Sequence, residues 1–167
     1  MVVFYFILVG IVIALDQWSK WLVLTKMSLR ESIPIIDEVL YLTSHRNKGA
    51  AFGILQDQRW FFIIVTSVVI IAIAYVLIRH RSSLRGLVSW SLALILGGAI
   101  GNYIDRVRFG EVVDFVDVKI SLFSFYYDFP IFNIADSALV IGVGLLLLDT
   151  IIDMIKEKKE KKAAISE

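Results

Sequence analysis

Two long stretches of the chain contain no charged residue, and this feature constrains the fold more than any other. They run over Trp60–Ile78 and Gly86–Ile104, and each is close to the ~20 residues that a helix needs to cross a bilayer. The whole chain is 58% hydrophobic, whereas a soluble domain is usually about 45–50% apolar. The sequence therefore predicts a membrane protein and excludes a soluble enzyme, a disordered chain and a disulfide-stapled secreted domain.

Four apolar segments of the sequence are long enough to span the membrane. The first could be mistaken for a signal peptide, but no basic residue precedes it and no small-x-small cleavage site follows it, so a retained helix is the better interpretation. No internal repeat or second domain is visible. We therefore expect one membrane domain over residues 1–167, with spans at about 3–24, 60–78, 86–104 and 131–150.

The distribution of basic residues predicts the orientation, because cytoplasmic loops hold an excess of arginine and lysine. The link at 79–85 holds three arginines. The C-terminal tail holds Lys156, Lys158, Lys159, Lys161 and Lys162. We expect both regions to lie in the cytoplasm together with the N-terminus, since the number of spans is even. The loops at about 26–59 and 105–130 then face outwards.

Both outer loops contain segments that are typical of β-strands. Pro34–Thr43 is rich in β-branched and aromatic residues and is too short to span a membrane. Asp117–Leu122 alternates polar and apolar residues with a period of two. The predicted fold class is therefore an α-helical membrane protein with four transmembrane helices and a small extracytoplasmic β element.

Composition also excludes several kinds of partner. The net charge is +1, and no basic stripe remains once the residues that flank the spans are set aside, which argues against binding to nucleic acid. The chain contains no cysteine, so thiol catalysis and cysteine-based metal sites are excluded. We expect neither a bound metal ion nor a cofactor.

Ionisable residues near the spans are informative, because each of them is costly inside a bilayer. Asp16 and Lys20 are four residues apart on the first span and can form an ion pair. Such pairs are often structural, so a role in helix depth and packing is favoured over catalysis.

Asp136 lies about one turn into the fourth span, without a basic residue within a helical turn of it. Helix N-termini favour carboxylates, so Asp136 can cap this span. A working role is equally compatible with an acid at this depth. The sequence leaves both interpretations open.

A second group of small and polar residues closes the third span. Gly97, Gly98 and Gly101 are expected to let helices pack closely, because small residues dominate helix contacts in membranes. Asn102, like Asn133 before the fourth span, can bind a backbone or a carboxylate.

Three acids gather near the outer ends of the spans. Asp105 can pair with Arg106 at the surface. Asp114 lies between two apolar residues, a setting that tends to raise the pKa of a carboxyl group. The predicted topology brings Asp105, Asp114 and Asp136 to the same membrane face.

Two carboxyl groups held close together share one proton. The ionised group can then act as a base on water, while the protonated group polarises a carbonyl. This is the chemistry of aspartic peptidases, and it needs no metal, thiol or hydroxyl nucleophile. Depth alone leaves open which two of the three acids meet.

Five blocks of the sequence match one known family. They are Asp16–Lys20, Asn47–Gly53, Gly97–Arg106, Val112–Phe115 and Phe132–Ser137. With these blocks in order at the ends of four spans, the chain resembles the bacterial signal peptidase II family, the lipoprotein signal peptidases, over nearly its whole length. The resemblance implies an aspartic endopeptidase of the bacterial inner membrane. Such an enzyme cuts the signal peptide from diacylglyceryl-modified prolipoproteins just before the lipidated cysteine, with its active site at the outer face.

The resemblance also implies roles for individual residues. It assigns the catalytic pair to Asp114 and Asp136. The implied substrate-binding positions are Asn47, Gly49, Asn102, Arg106 and Asn133. The implied supporting positions are Asp16, Lys20, Asp105 and Ala135. Within this last group, Asp105 is expected to orient Arg106.

The resemblance further implies that the partners are signal peptides of lipid-modified prolipoproteins and membrane lipids, and that the enzyme acts as a monomer. Phe52 and Gly53 lie in a loop that could close over the cleft as a lid. The segment before the fourth span is longer than the family leads us to expect. It contains Phe123, Phe125, Tyr126 and Tyr127.

Two other classes of function are compatible with small apolar proteins of this kind. A transporter would place polar residues along one face through the middle of several spans, but the middle of the second span holds only Thr66, Ser67 and Tyr75. A non-enzymatic assembly factor would leave Asp114 and Asp136 replaceable. Substitution of these two acids separates the second alternative from a peptidase.

Overall fold

The computed structural model describes residues 2–49, 54–80, 84–122 and 125–165. Within these residues, four helices are long and apolar enough to cross a membrane. The helices are α1 (Val2–Lys26), α2 (Arg59–Arg79), α3 (Gly86–Phe109) and α4 (Ile134–Ile165). The strands are β1 (Ser32–Ile36), β2 (Leu40–Asn47), β3 (Val112–Leu122) and β4 (Phe125–Asp128). This architecture confirms the predicted fold class of four spanning helices with a small sheet.

Helix α3 ends at Phe109 and not near Ile104, where the charge-free stretch stops. Gly110 adopts a left-handed backbone with φ of 80° and donates its N–H to the carbonyl of Arg106 at 3.1 Å, which closes the last turn. Asp105 and Arg106 therefore lie within the helix. The predicted outer loop, which began at about residue 105, is wrong at these two positions.

Helix α4 begins at Ile134, later than the predicted residue 131, and continues past residue 150 to Ile165. Its start is set by Asn133, whose side-chain Oδ1 accepts the backbone N–H of Asp136 at 2.8 Å. The last turns are rich in lysine and glutamate, which are good helix formers in water, so the helix outlasts its apolar part.

Helix α3 lies at the centre of the bundle and packs against the other three helices. Its glycines make this close approach possible, because a Cβ on Gly97 would lie 2.9 Å from the Cβ of Val12 on α1. A Cβ on Gly98 would collide with the carbonyl of Ala135 on α4. Helix α2 buries little of its surface, as a lipid-facing helix would.

The four strands form one antiparallel sheet in the order β1-β2-β3-β4. On β3, Val113 and Phe115 pack with Val23 of α1 into a small core under the sheet. Because successive residues of a strand point to opposite faces, Asp114 points away from this core. In the register of β2 and β3, His45 lies opposite Asp114.

The predicted lid loop and the long outer segment each include residues that the structure does not describe. Phe52, Gly53 and Phe123 lie outside the described residues.

Candidate active site

Asp114 and Asp136 line the same cavity, although 21 residues, including strand β4, separate them along the chain. Asp114 is the third residue of β3, and Asp136 lies in the first turn of α4. The cavity has a volume of about 930 Å³. Of the residues that sequence reasoning assigned to substrate, the cavity is lined by Asn47, Gly49, Asn102 and Arg106.

The carboxyl group of Asp114 is almost completely buried, with an exposed fraction of 1%. Its Oδ2 accepts a hydrogen bond from Asn47 Nδ2 at 3.1 Å, and its Oδ1 accepts one from Asn133 Nδ2 at 2.7 Å. Burial raises the pKa of Asp114 to about 7, and the nearby charge of Asp136 acts in the same direction. The two amide hydrogen bonds oppose this increase without cancelling it.

Asp136 forms a capping box with Asn133 at the start of α4. Its backbone N–H donates to Asn133 Oδ1 at 2.8 Å, while its own Oδ2 accepts the backbone N–H of Asn133 at 3.2 Å. Its Oδ1 accepts a third hydrogen bond, from Asn102 Nδ2 at 2.7 Å. Asp136 therefore caps the helix, as one of the two interpretations predicts, and the same carboxyl group also faces the cavity.

Asn133 forms hydrogen bonds with both acids from a buried position behind the cavity wall. Its exposed fraction is 0%, and it does not line the cavity. The resemblance implied a substrate-binding position, but the side chain uses its amide on Asp114, on Asn102 and on the carbonyl of Val113. Its contacts make it a bridge that fixes the two carboxyl groups relative to each other.

A buried cluster of charges lies behind the asparagines. Lys20 Nζ lies 2.9 Å from Asp16 Oδ2 and 2.9 Å from Asp105 Oδ2, and it donates to Asn102 Oδ1 at 2.8 Å. The predicted pair of Asp16 and Lys20 is thus confirmed, with Asp105 as a second anion. The cluster also contacts the start of α4, because Asp16 Oδ1 accepts the backbone N–H of Ala135 at 3.0 Å.

Asp105 does not orient Arg106, contrary to the expectation from the sequence. Its Oδ2 accepts the backbone N–H of Val113 at 3.1 Å, next to Asp114, and its Oδ1 accepts from Gln17 Nε2 at 3.0 Å. Neighbouring residues on a helix project about 100° apart. Asp105 therefore faces α1, while Arg106 faces the cavity.

Arg106 is held from two other sides. Its Nη2 donates to the carbonyl of Gly49 at 3.1 Å, and its guanidinium group lies 4.5 Å above the ring of Phe62 on α2. Gly49 itself donates its N–H to Asn47 Oδ1 at 3.0 Å. These contacts tie the chain after β2 to the cavity wall.

Two residues of the site escaped the sequence-based assignment. Gln17 Nε2 links Asp105 to the carbonyl of Gly101, so it belongs to the buried cluster. His45 lines the cavity beside Asp114. Strand periodicity could have found it, because His45 lies two residues before Asn47 and residues at that spacing share a face. Burial and the charges of Arg46 and Arg30 lower the pKa of His45.

The chemistry of the site is that of two carboxyl groups with unequal surroundings. Among the described residues, no three histidine, aspartate or glutamate side chains are grouped so that they could hold a metal ion. One buried acid with a pKa near 7 and one capping carboxylate can share a proton and act together as acid and base.

Comparison with known proteins identifies the family of this chain. A family model described as signal peptidase (SPase) II matches residues 8–152. The chain belongs to the signal peptidase II family. It is 58% identical over 159 residues to the lipoprotein signal peptidase of Halalkalibacterium halodurans, covering 95% of this chain and 99% of that protein. It is 52% identical over 157 residues to the lipoprotein signal peptidase of Bacillus subtilis strain 168, covering 94% and 99%.

Solved structures extend the likeness to three dimensions. One bacterial membrane enzyme superposes with a TM-score of 0.81 at 41% identity, over 90% of this chain and 88% of that chain. A second bacterial membrane enzyme gives a TM-score of 0.75, also at 41% identity, over 87% and 91%. Membership of this family makes the chain a multi-pass protease of the bacterial inner membrane. It decides against both the transporter and the non-enzymatic assembly factor.

Proposed function

We propose that Asp114 and Asp136 are the catalytic dyad with which this signal peptidase II removes signal peptides from diacylglyceryl-modified prolipoproteins. Cleavage falls just before the lipidated cysteine. The observation that carries the proposal is that both acids line one cavity and that both carboxyl groups accept hydrogen bonds from Asn133, Asp114 from its side-chain amide and Asp136 from its backbone N–H. Proteolysis and prolipoprotein processing follow from membership of the family. The assignment of catalytic roles to the two acids is our proposal.

The unequal surroundings of the two acids suggest their roles. Burial favours the protonated form of Asp114, so this residue serves as the acid that donates a hydrogen bond to the scissile carbonyl oxygen. Asp136 lies at a helix N-terminus, which favours a carboxylate, so it serves as the base that accepts a proton from the attacking water. The hydroxide adds to the carbonyl carbon. The tetrahedral intermediate then breaks its C–N bond as the leaving amine takes up the proton that Asp136 accepted from water, which returns Asp136 to its carboxylate form.

The walls of the cavity suit a signal peptide that lies in the membrane. Asn47, Asn102 and Arg106 supply amide and guanidinium groups beside the dyad, where an extended backbone can be bound. The facing walls are apolar and include Val65 of α2 and Val140 of α4, which are both exposed. A lipid-anchored substrate can therefore enter laterally from the bilayer.

Orientation, partners and assembly form part of the same proposal. The arginines of the α2–α3 link and the lysines at the end of α4 favour a cytoplasmic location of both termini. The dyad then lies at the outer face with the sheet, among membrane lipids. As the family resemblance implies, we propose that the enzyme acts as a monomer.

Substitution of each acid by asparagine tests the proposal. Asp114→Asn and Asp136→Asn should each lower cleavage of a diacylglyceryl-modified prolipoprotein by at least about 1,000-fold, because one member of a catalytic unit cannot act alone. Asp117→Asn is a matched control, since Asp117 is also a buried acid of β3 but does not line the cavity. It should cleave at close to the original rate. Retained cleavage in either dyad variant, with correct folding, would remove that residue from the dyad.

A further inference from the structure

The side-chain amide of Asn102 lies between a buried lysine and one acid of the dyad. Its Oδ1 accepts hydrogen bonds from Lys20 Nζ at 2.8 Å and from Asn133 Nδ2 at 3.1 Å. Its Nδ2 donates to Asp136 Oδ1 at 2.7 Å. Asn102 therefore links Lys20 to Asp136.

An asparagine amide can present its oxygen and its nitrogen in two opposite orientations. The ammonium group of Lys20 can only donate, so a reversed Asn102 would set its NH₂ group against another donor. The reversed amide would also turn its oxygen towards the carboxylate of Asp136, where two acceptors repel each other. Lys20, together with the weaker donor Asn133 Nδ2, thus selects the orientation in which Asn102 donates to Asp136.

The position of Lys20 is itself tightly defined. Its side chain is 2% exposed, and those of its partners Asp16 and Asp105 are 0% and 1% exposed. Each partner is anchored elsewhere, because Asp16 accepts the N–H of Ala135 and Asp105 accepts the N–H of Val113. The ammonium group is consequently held against Asn102 by elements that also support the dyad.

We propose that Lys20 is a positioning residue for peptide-bond hydrolysis, which orients the amide of Asn102 and so holds Asp136 as the carboxylate that activates water. The inference rests on the proposed function of the dyad. Lys20 does not line the cavity and has no contact with Asp136 among the described bonds, so it acts through Asn102. Its positive charge, like that of Arg106, favours ionised acids nearby.

The variants must keep the number of buried charges without a partner small. Removing Lys20 alone would leave Asp16 and Asp105 without their cation, which is strongly destabilising. Lys20→Met combined with Asp105→Asn removes one cation and one anion together. Asp16 keeps its charge and its hydrogen bond to the first turn of α4. Asp105→Asn alone is the matched control, because it keeps Lys20 against Asn102.

Both variants are purified in detergent and assayed on a diacylglyceryl-modified prolipoprotein. Relative to the control, the double variant should lower kcat about 100-fold, which is typical for the loss of one preorganised hydrogen-bond donor. KM should change by less than about threefold, since Asn47, Arg106 and the apolar walls of the cavity are unaltered. The alkaline limb of the kcat profile should move to higher pH, because the dyad holds its proton longer without the lysine charge.

A coupling experiment tests the route through Asn102. Asn102→Ala should lower kcat by a similar factor in the original enzyme and should add little in the background that lacks Lys20. The two changes remove the same hydrogen bond to Asp136, so their effects should not add. Additive losses would overturn the proposed route.

A lower melting temperature with unchanged kcat and an unchanged alkaline limb would assign Lys20 a purely structural role and overturn the inference. If the double variant does not fold, the triple variant Lys20→Met, Asp16→Asn, Asp105→Asn decides in the same way. It has no charge left in the cluster, and neutral replacements of buried ion pairs are often tolerated. Failure of the proposed function is distinguishable, because Asp114→Asn and Asp136→Asn would then retain cleavage.

Discussion

Asn133 donates a hydrogen bond to Asp114 Oδ1 at 2.7 Å from a position that is completely buried. The same side chain caps α4 through the backbone N–H of Asp136. One amide thereby couples a strand to a helix terminus, and the distance between the two acids depends on it. The active site is therefore assembled by local helix capping as well as by tertiary packing.

Asn133→Ala should reduce both stability and activity. The substitution removes the N-cap of α4, which costs about 1–2 kcal/mol, and it leaves Asp114 with Asn47 as its amide donor. Thermal unfolding in detergent and prolipoprotein cleavage measure the two effects. Ser137→Ala is the control, since this hydroxyl in the same turn bonds back to the carbonyl of Asn133 and contacts neither acid. A cleavage rate in Asn133→Ala equal to that of the control would contradict the bridging role.

The stability of the protein should depend on pH through Asp114. Folding raises the pKa of Asp114 from 3.8 to about 7, so the folded state binds this proton more tightly than the unfolded chain. The resulting stabilisation is fully present below pH 3.8, is lost as the pH rises through about 7, and is absent above that.

Asp114→Asn lacks this titration, so the variant should gain stability relative to the original protein between pH 5 and 8. The difference in melting temperature between the two proteins, measured at both pH values, checks the prediction. A difference that does not change with pH would show that Asp114 titrates at its ordinary pKa.

Asn47→Ala should move the alkaline limb of activity to higher pH. The hydrogen bond from Asn47 Nδ2 lowers the pKa of Asp114, so its removal lets this acid keep its proton to higher pH. The ratio kcat/KM measured over pH 5–10 reports the limb. Arg46→Gln, a change at the neighbouring position of β2 that does not line the cavity, should leave the limb in place. A shift to lower pH in Asn47→Ala would contradict the assignment of Asp114 as the acid.

Gly101→Ala should destabilise the bundle at the point where three helices meet. A Cβ at this position would lie 2.5 Å from Asp16 Oδ2 and 3.1 Å from the Cβ of Ala135, so α1 and α4 would both have to move. The expected loss is about 1–3 kcal/mol, as for overpacking elsewhere. Gly144→Ala is the control, because its added Cβ meets nothing within 4 Å. Equal melting temperatures for the two variants would contradict the close packing.

Much of the fold follows from simple features of the sequence. The charge-free stretches predict α2 and the apolar part of α3, and alternation along Asp117–Leu122 predicts part of β3. The predicted end of α3 near Ile104 is wrong, because the first charged residues after the apolar stretch do not mark the end of this helix. Gly110 was the better signal, since glycine commonly follows the last turn of a helix.

The candidate site also combines features that local sequence patterns predict with features that they do not. The Asn-x-x-Asp spacing from Asn133 to Asp136 is a capping pattern that local reasoning can predict. The contact of Lys20 with Asn102 joins α1 to α3, and no local pattern encodes it. The direction in which Asp105 points likewise depends on the helix continuing beyond Ile104. Because the predicted helix ended too early, the predicted contact of Asp105 with Arg106 was wrong as well.

The central claim is that Asp114 and Asp136 act as one catalytic unit, and a double-mutant cycle on prolipoprotein cleavage tests it most directly. The rate constant is measured for Asp114→Asn, Asp136→Asn and the double variant, each purified and shown to be folded. The account predicts that the double variant is no slower than the slower single variant, because the loss of either acid already stops the shared chemistry. Cleavage by a folded single variant at the original rate, or losses that multiply in the double variant, would contradict it.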